Sequence, residues 1–373
     1  MRDTAAVRKV QLSYSFRTGA AGGAAIRNAL MDLLAAVRDS GSISAAAKSM
    51  GLSYRHVWGE LKRWELELAQ PLVTWEKGQR ARLSEFGDKL LWAERQAQAR
   101  LSPQIEALHA DLERAFAVAF DEGAHVLTLF ASHDDALAAL REQAMHSRLH
   151  LDIRFVGSVD AISALNQGRC VMAGFHIPPQ RARGSIAERT YRPLLQTGRH
   201  KLIGFARRSQ GLIVAKGNPL QIRAIAEIAA MRARFVNRAI GTGTRVLFDE
   251  LLSHAGMRSS DIQGYASAEP SHAAVAHAVA SGAADVGLGI APAAQALGLD
   301  FVPLLQEDYY LVCLKDALEE PAVRSLRMFL RSRAWQERLR ELPGYEPMAD
   351  GKTGEVLSLK DQLPWWQFRT RKS

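Results

Sequence analysis

Small hydroxyl residues follow several apolar, β-prone runs in the later part of the chain, each just before a stretch with helical spacing. They are Ser132 in FASHDDAL, Ser158 in FVGSVDAI, Thr242 and Thr244 in NRAIGTGTRVLF, and Ser271 in AEPSHAAVAHAV. In open α/β sheets, the carboxyl ends of strands and the free N–H groups of helix N-termini together form anion sites. The pattern predicts a cage of neutral donors around a small anion, unless each hydroxyl only caps its own helix.

The segment NRAIGTGTR adds glycines and charge to this set. Gly241 and Gly243 let the backbone approach a ligand closely. Arg238 and Arg245 offer positive charge, although arginines beside a helix start are more often surface residues. The segment lacks the GK[ST] ending of a P-loop and is not a dinucleotide fingerprint. We interpret it as one wall of an oxyanion-sized clamp.

Three histidines at strand ends, His133, His176 and His272, raise the alternative of a metal site. The sequence contains no HExxH or similar pair, and Cys170 and Cys313 are far apart, so we expect no zinc site. It also contains no GxSxG nucleophile elbow. We therefore assign no catalytic residue and predict that the protein is not an enzyme.

Length and composition indicate two or three globular domains. The chain has 373 residues, of which 47% are hydrophobic and 23% charged. Its first residues lack the apolar core of a secretory signal. No run approaches the ~18 to 20 apolar residues that span a bilayer, and two cysteines are too few for a disulfide framework. We expect a cytoplasmic protein without a membrane partner, and its net charge of +9 permits an anionic one.

The amino-terminal region predicts helices separated by short turns. Residues 26–37 carry the apolar stripe of an amphipathic helix. A second helix, SISAAAKSM, stops at Gly51, and Ser53 can cap a third, YRHVWGELKRWELELA. Two short helices joined by a tight glycine turn are typical of a helix-turn-helix.

The rest of the chain divides into three further patterns. PLVTWEKGQRARLS predicts a hairpin, or wing. Residues 84–120 predict a long helix, which Pro103 should kink or divide. Beyond them, β-rich runs alternate with helical segments, which implies a mostly parallel sheet covered by helices.

In a winged helix-turn-helix, the second helix of the motif enters the major groove. Arg55 and His56 are predicted to reach base edges, and the later basic residues and the wing to neutralise phosphates. For each residue the alternative is a solvated surface charge. The predicted DNA-binding residues are Ser53, Tyr54, Arg55, His56, Trp58, Lys62, Arg63, Lys77, Arg80 and Arg82.

The stretch GSISAAAKSMGLSYRHVWGELKRWE, the wing and LSEFGDKLL closely resemble the DNA-binding domain of ModE-type molybdate-responsive regulators, and more loosely that of LysR-type regulators. The resemblance covers roughly residues 24–121. It implies that the long helix after the wing forms a dimer interface. A symmetric dimer would read two half-sites ~34 Å apart.

The segments TLFASHDDALAALREQ and LDIRFVGSVDAISALNQG look like the first two strand-helix units of molybdate-binding proteins, which have a type II periplasmic-binding-protein-like fold. By that match, Ser132 and Ser158 take the places of the serines that contact the oxyanion. VNRAIGTGTR and SGAADVGLGI are similar to the return half of the fold. The histidines at the loops depart from the simple oxyanion binders and leave room for a larger ligand, such as a molybdenum-cofactor pterin or a small carboxylate.

The predicted fold class is α/β: an all-α winged helix-turn-helix with a long dimerisation helix, then a two-lobed α/β Venus-flytrap domain. The predicted domains are residues 1–83 for DNA binding, 84–122 as the linker helix, 123–350 for ligand sensing, and 351–373 as a tail whose two tryptophans we interpret as covering a lobe. The predicted ligand-binding residues are Ser132, His133, Ser158, His176, Arg238, Gly241, Thr242, Gly243, Thr244 and Ser271.

These patterns predict a one-component bacterial transcription regulator with an operator DNA and a small oxyanion as partners. The effector is expected to be molybdate or tungstate, no cofactor is required, and the chain is expected to form a homodimer or a dimer of dimers. Two alternatives remain. One is a LysR-type regulator that senses an organic anion or molybdenum cofactor, and the other is a molybdenum-cofactor handling protein that does not bind DNA.

Overall fold

The computed structural model describes residues 28–74, 80–120, 125–178 and 181–366. The chain forms two compact units, one ending at Gln98 and the other beginning at Ala99. Three parts of the predictions lie outside the described residues: the start of the first predicted helix, the wing residue Lys77, and the end of the predicted tail from residue 367.

The described part of the first unit consists of short helices, a small hairpin and the start of a long helix. The elements are α1 (Ala29–Ser40), α2 (Ile43–Ser49), α3 (Tyr54–Leu68), β1 (Val73–Thr74), β2 (Arg82–Leu83) and α4 (Glu85–Phe120). Local caps set the helix starts: Ser42 Oγ accepts a hydrogen bond from the N–H of Ala45, and Ser53 Oγ accepts one from the N–H of His56. β1 pairs with β2 in antiparallel fashion. The predicted winged helix-turn-helix is confirmed.

The apolar faces of α1, α2 and α3 pack into one core beneath the wing. Leu34, Val37 and Val57 are fully buried there, together with Leu61 and Leu72. Each such side chain contributes about 1.5 to 3 kcal/mol when it leaves water. The core fixes one side of α3 and leaves its amino-terminal residues exposed to solvent.

The sequence predicts that Pro103 kinks or divides the long helix; α4 is continuous across this proline, so the proline does not divide it. A proline lacks the N–H that would bond to the carbonyl four residues earlier, here that of Ala99. In the structure, the hydroxyl of Ser271 donates to this carbonyl over 2.9 Å. The carbonyl of Ala99, which receives no hydrogen bond from Pro103, therefore receives one from Ser271 at the start of α10.

The second unit alternates strands and helices after the end of α4. They are β3 (His125–Ala131), α5 (Asp135–Ala144), β4 (Leu149–Phe155), α6 (Ser158–Asn166), β5 (Met172–Ile177), α7 (Ile186–Tyr191), β6 (His200–Val214), α8 (Ile225–Ala230), β7 (Phe235–Arg238), α9 (Gly243–His254), β8 (Ala268–Glu269), α10 (His272–Ala280), β9 (Val286–Gly289), α11 (Ala291–Gln295), β10 (Asp300–Leu314), α12 (Pro321–Arg331), α13 (Arg333–Glu341), β11 (Tyr345–Glu346), β12 (Val356–Leu357) and α14 (Leu359–Gln362).

The strands form a mixed sheet in the order β4-β3-β5-β10-β6-β9-β7-β8. The first half (β3, β4 and β5) is parallel, and so is the second half (β7, β8 and β9). Between them, β6 and β10 pair antiparallel with each other and with the strands beside them. The expected mostly parallel sheet was therefore wrong. Both central strands are 15 residues long, so each crosses from one half to the other.

Residues 351–366, which the sequence analysis separated as part of a tail, pack on this unit. β12 pairs with β6. Trp365 is fully buried in a cluster with Phe175 and Tyr191, and Trp366 packs against that cluster. This segment therefore covers the first half of the sheet.

Candidate functional site

The carboxyl ends of strands from both halves meet at the middle of β6 and β10. Ile177, at the end of β5, pairs with Asp308 of β10, and that residue pairs with Arg207 of β6. Gly289, at the end of β9, pairs with Gly211 of β6. Ligands of open α/β sheets bind beyond such strand ends. The candidate site lies at this junction.

Two serines of the first half face each other there. Ser132 follows β3 and Ser158 is the first residue of α6, and their hydroxyl oxygens lie 3.2 Å apart. Both residues are buried. Neither caps a helix, because Asp134 caps α5 and the N-cap of α6 is Gly157, which has no side chain. The two hydroxyls therefore bond to each other and not to a helix end.

The hydroxyls of the two threonines in the second half already form hydrogen bonds within the protein. Thr242 caps α9: its hydroxyl accepts a hydrogen bond from the N–H of Arg245 and donates to the carbonyl of Ala239. Thr244 accepts a hydrogen bond from the side-chain amide of Gln210 over 3.1 Å. For Thr242, helix capping accounts for the hydroxyl.

The glycines bring this loop against the first half. A Cβ at Gly243 would lie 3.4 Å from the Ser158 hydroxyl and 3.2 Å from the Cβ of His176. A Cβ at Gly157 would lie only 2.7 Å from the carbonyl oxygen of Gly241, which itself has a left-handed φ of 85°. Side chains at these positions would separate the two halves.

A buried charged network supports the junction. Arg208 donates to Asp134 over 2.5 Å and to Glu307 over 2.6 Å, and Tyr345 donates to Asp134 over 2.9 Å. Burial alone would raise the pKa of Asp134, but Arg208, with smaller contributions from its other partners, holds this pKa well below its usual range. Sequence analysis missed this network. The one signal was a charged pair, Arg207 and Arg208, inside an otherwise apolar run.

Arg238, at the end of β7, is a buried cation without a counter-ion in the part of the chain that the structure describes. It is 2% exposed, and its Nη1 donates to the carbonyl of Glu269 over 3.2 Å. Its Nε has no hydrogen-bond partner, and no carboxylate of the described residues forms an ion pair with it. Burial, and then the charge of Arg208, lower its pKa to about 9. A bound anion would supply the missing charge.

Two of the histidines at the strand ends are held neutral. His176 stacks on Tyr309 with ring centroids 3.8 Å apart, and burial followed by the charge of Arg208 lowers its pKa. His272 opens α10, and burial followed by the charge of Arg238 lowers its pKa strongly. Both rings of this pair contain nitrogen atoms without a hydrogen-bond partner in the described residues. They can therefore bond a ligand without adding charge.

The third histidine is paired with a carboxylate. His133 Nε2 lies 3.0 Å from an oxygen of Glu106, a residue of α4. Burial lowers the pKa of His133, but the hydrogen bond and charge of Glu106 outweigh it, so the pKa is raised. His133 also lies within electrostatic reach of Arg238. It is the cationic partner of α4 at the edge of the site.

The structure thus divides the predicted ligand residues. Ser132, Ser158, His176 and Gly243 lie together, and Arg238 ends a strand at the same junction. Ser271 caps α10 and donates to α4, so structural contacts account for its hydroxyl.

Buried phenols near the site were also missed by sequence analysis. The hydroxyls of Tyr191 and Tyr309 have no hydrogen-bond partner within the described ranges, although both residues are fully buried. Ser158 influences the pKa of Tyr191, which places that phenol beside the serine pair. No local pattern marks them, since aromatic residues in apolar elements usually belong to the core.

In the first unit, the amino-terminal end of α3 presents a polar surface. Tyr54, Arg55 and His56 are exposed, and Ser53 caps the helix. Trp58 is half-buried and stacks on Tyr54 with ring centroids 6.2 Å apart, so it also supports the helix. This end of α3 is the part of the unit that can read base edges.

The remaining basic residues of this surface differ in their partners. Lys62 pairs with Glu65 at 2.6 Å and Arg63 with Glu60 at 2.5 Å, both as exposed pairs within α3. Arg80 and Arg82 are exposed on the wing. Exposed pairs of this kind are worth little, about 0 to 1 kcal/mol, so phosphates can compete for these cations.

The described residues contain no group of histidine, cysteine, aspartate and glutamate side chains placed to hold a metal ion. Within the same ranges, every helix is too short or too polar to cross a lipid bilayer.

Comparisons with known families agree with this architecture. Residues 139–331 match the PBP superfamily domain. The chain belongs to the PBP superfamily. Residues 29–88 match the family described as bacterial regulatory helix-turn-helix protein, lysR family. The chain therefore combines a helix-turn-helix domain of the lysR type with a domain of the PBP superfamily. Of the two resemblances seen in the sequence, the looser one to LysR-type regulators is confirmed.

Individual relatives share about a quarter to a third of their residues with this chain over the matched regions. The uncharacterised protein YvgK of Bacillus subtilis is 34% identical over 199 residues, which are 53% of this chain and 64% of that protein. This chain therefore spans less than two thirds of the Bacillus protein. The molybdenum-pterin-binding protein MopB of Rhodobacter capsulatus is 26% identical over 209 residues, covering 48% of this chain and 74% of that protein. Among solved structures, a Corynebacterium glutamicum OxyR mutant is 16% identical, covers 82% of this chain and 94% of its own, and has a TM-score of 0.39.

Proposed function

We propose that this chain is a one-component transcription regulator whose winged helix-turn-helix binds operator DNA and whose PBP-like domain senses molybdate or tungstate. The observation that carries the ligand half is Arg238, a buried guanidinium with no carboxylate partner among the described residues. It lies at the same strand ends as the hydrogen-bonded hydroxyls of Ser132 and Ser158, which do not cap helices.

A small oxyanion would complete this arrangement. Arg238 would supply charge-assisted hydrogen bonds, which are shorter and stronger than neutral ones. The two serines and the N-termini of α6 and α9 would supply neutral donors and a favourable dipole. The similarity to the molybdenum-pterin-binding protein of Rhodobacter supports a molybdenum-containing ligand.

The DNA half of the proposal rests on the exposed end of α3. Tyr54, Arg55 and His56 would contact base edges in the major groove, and the wing would contact the backbone. Leu101 and Leu108 of α4 are 47% and 61% exposed and lie seven residues apart. Such spacing suits a helix-helix seam, and we propose a homodimer built on α4 that reads two half-sites.

Regulation would follow from a population shift. The loop at residues 241–244 of the second half packs on the start of α6 in the first half. An anion bound between them makes more contacts when the halves are closed, so it favours that arrangement. The closed state would then change the DNA-binding heads of the dimer.

A second candidate ligand is a larger organic anion, such as a pterin phosphate or a carboxylate. It is favoured by Gln210, whose side-chain oxygen is buried without a donor, and by the unpartnered phenol of Tyr309. Molybdate offers only acceptors and cannot bond to the oxygen of Gln210, whereas a ligand with N–H groups can.

Calorimetric titration of the purified chain with molybdate, tungstate and sulfate tests the ligand. Binding of the first two, but not of sulfate, is expected. Silence for all three would contradict the oxyanion proposal and favour the organic anion. A parallel selection from random DNA duplexes, followed by anisotropy at two salt concentrations, tests the other half. A molybdenum-cofactor handling protein would show no specific, salt-sensitive DNA binding.

A further inference from the structure

The middle of α4 is anchored to the second half of the sheet. Arg100 donates to the carboxylate of Glu269 over 2.6 and 3.1 Å. The hydroxyl of Ser271 donates to the carbonyl of Ala99. Glu269 also accepts, through its own carbonyl, the hydrogen bond from Arg238. One residue thus joins α4 to the unpaired cation of the anion site.

One and a half turns later, the same helix contacts the first half of the sheet. Glu106 lies 3.0 Å from His133 Nε2, and its carbonyl accepts a hydrogen bond from Arg141 over 3.2 Å. Ser102 Oγ also donates to its carboxylate, over 2.9 Å. His133 directly follows Ser132, one of the two serines that do not cap a helix. α4 therefore holds both halves through residues that border the site.

The carboxylate of Glu106 is poorly satisfied for a charged group. Its side chain is 14% exposed, and its Oε2 is buried without a hydrogen-bond partner in the described residues. Burial raises its pKa, but His133, Ser102 and Arg141 outweigh this effect, so the pKa is lowered and the group stays ionised. A buried anion with one unsatisfied oxygen is costly. The hydrogen bonds from His133 and Ser102 and the charge of Arg141 keep the carboxylate ionised in this position.

We propose that Glu106 is an internal competitor of the sensed anion. Without ligand, its carboxylate pairs with His133, and His133 lies within electrostatic reach of Arg238. An anion bound at Arg238 also acts on His133, and because two anions beside one histidine repel each other, it expels Glu106. This inference rests on the proposed anion site and goes beyond it, since it assigns the trigger of the response to one residue of α4.

The expelled carboxylate gives α4 two states. Arg100 and Ala99 keep the helix on the second half, while its contact with the first half is lost. Helix α4 is continuous from Glu85 to Phe120, so Glu106 lies on the same helix that begins directly after the wing. The coupling is reciprocal: the bound anion weakens the contact of Glu106 with His133 by the same factor by which this contact weakens anion binding. Removing the charge of Glu106 should therefore strengthen anion binding.

Glu106→Gln tests this competition, because glutamine keeps the shape of the side chain and removes its charge. Asp111→Asn is the matched control: Asp111 is on the same helix and pairs with Arg154 at 3.4 Å, but both side chains of this pair are exposed. In calorimetry with molybdate, E106Q should bind on the order of tenfold tighter than the wild type, within the usual range of allosteric coupling. D111N should bind like the wild type. An unchanged or weakened affinity of E106Q would overturn the inference.

Amide hydrogen exchange of residues 99–116 provides a readout that needs no ligand. Without any anion, E106Q should exchange faster in this segment than both the wild type and D111N. Saturating molybdate should raise the exchange of the wild type to the level of E106Q. If none of the three proteins binds molybdate, tungstate or sulfate, the proposed ligand is wrong. The role of Glu106 is then tested by hydrogen exchange alone. Equal exchange in E106Q and D111N would then overturn the role of Glu106.

Discussion

Replacement of Arg238 by methionine should stabilise the ligand-free protein while weakening its anion binding. The guanidinium is buried without a counter-ion, so the protein spends folding free energy to hold a charge that only a ligand would use. Methionine fills a similar space with a flexible, apolar side chain. Opposite changes in stability and binding are typical of a functional residue.

The structure gives the magnitude of this effect. Burial and Arg208 lower the pKa of Arg238 to about 9, and a change of one in pKa corresponds to about 1.4 kcal/mol, so holding the charge costs on the order of 5 kcal/mol. Loss of the hydrogen bond to the carbonyl of Glu269 offsets roughly 1.5 to 3 kcal/mol of this cost. We expect the free energy of unfolding to rise by about 2 kcal/mol. We expect the affinity for molybdate to fall by about tenfold to a hundredfold, from the same loss of charged hydrogen bonds.

Urea denaturation followed by tryptophan fluorescence measures the first quantity, since Trp335 and Trp365 are fully buried in the second unit. Arg208→Met is the matched control. Arg208 has two carboxylate partners, Asp134 and Glu307, so its removal should leave buried charges unpaired and destabilise the protein by about 3 to 5 kcal/mol.

The reasoning would be refuted by two results. If R238M is as unstable as R208M, Arg238 is a structural cation with a partner that balances its charge. If R238M is more stable but binds molybdate with wild-type affinity, the anion site lies elsewhere.

Three further predictions address the serines, the DNA-binding helix and α4. Ser132→Ala combined with Ser158→Ala should weaken anion binding by about 1.5 to 3 kcal/mol for each charged hydrogen bond lost, and normal calorimetric binding would move the site. Arg55→Ala should weaken operator binding in an anisotropy assay and leave ligand affinity intact, whereas unchanged operator affinity would exclude this role for α3. Because the pKa of His133 is raised, its contact with Glu106 stabilises the fold fully below the usual histidine pKa and fades as pH rises through the raised value. The stability difference between wild type and E106Q should therefore shrink as the pH rises above the usual histidine pKa, and a constant difference would contradict the pairing.

Local signals in the sequence predicted the first unit well. The cap at Ser53 and the left-handed glycine at Gly51, where the second helix stops, act within four residues, so the chain specifies them without tertiary contacts. The strand-to-helix junctions at Ser132 and Ser158 were predictable for the same reason. The resemblance to LysR-type regulators added the order of the domains.

Long-range contacts were the part that sequence could not supply. Arg208 meets Asp134 and Glu307, which are 74 and 99 residues away along the chain. The antiparallel pairing of β6 and β10 depends on which strands become neighbours, and alternation of β and α segments does not encode it. Pro103 looked like a helix break, but a hydroxyl from α10 accommodates it.

The sequence by itself determined which segments are helices and strands, because propensity, capping and periodicity act over a few residues. It also placed hydroxyls and glycines at the ends of strands, where an anion site can form. Only the tertiary structure decided which of these hydroxyls bind to helix ends and which do not. Thr242 and Ser271 use their hydroxyls on helix ends, while Ser132 and Ser158 do not, since other residues occupy their capping positions. The same folding buried Arg238 away from every described carboxylate, and no local pattern can predict the absence of a partner.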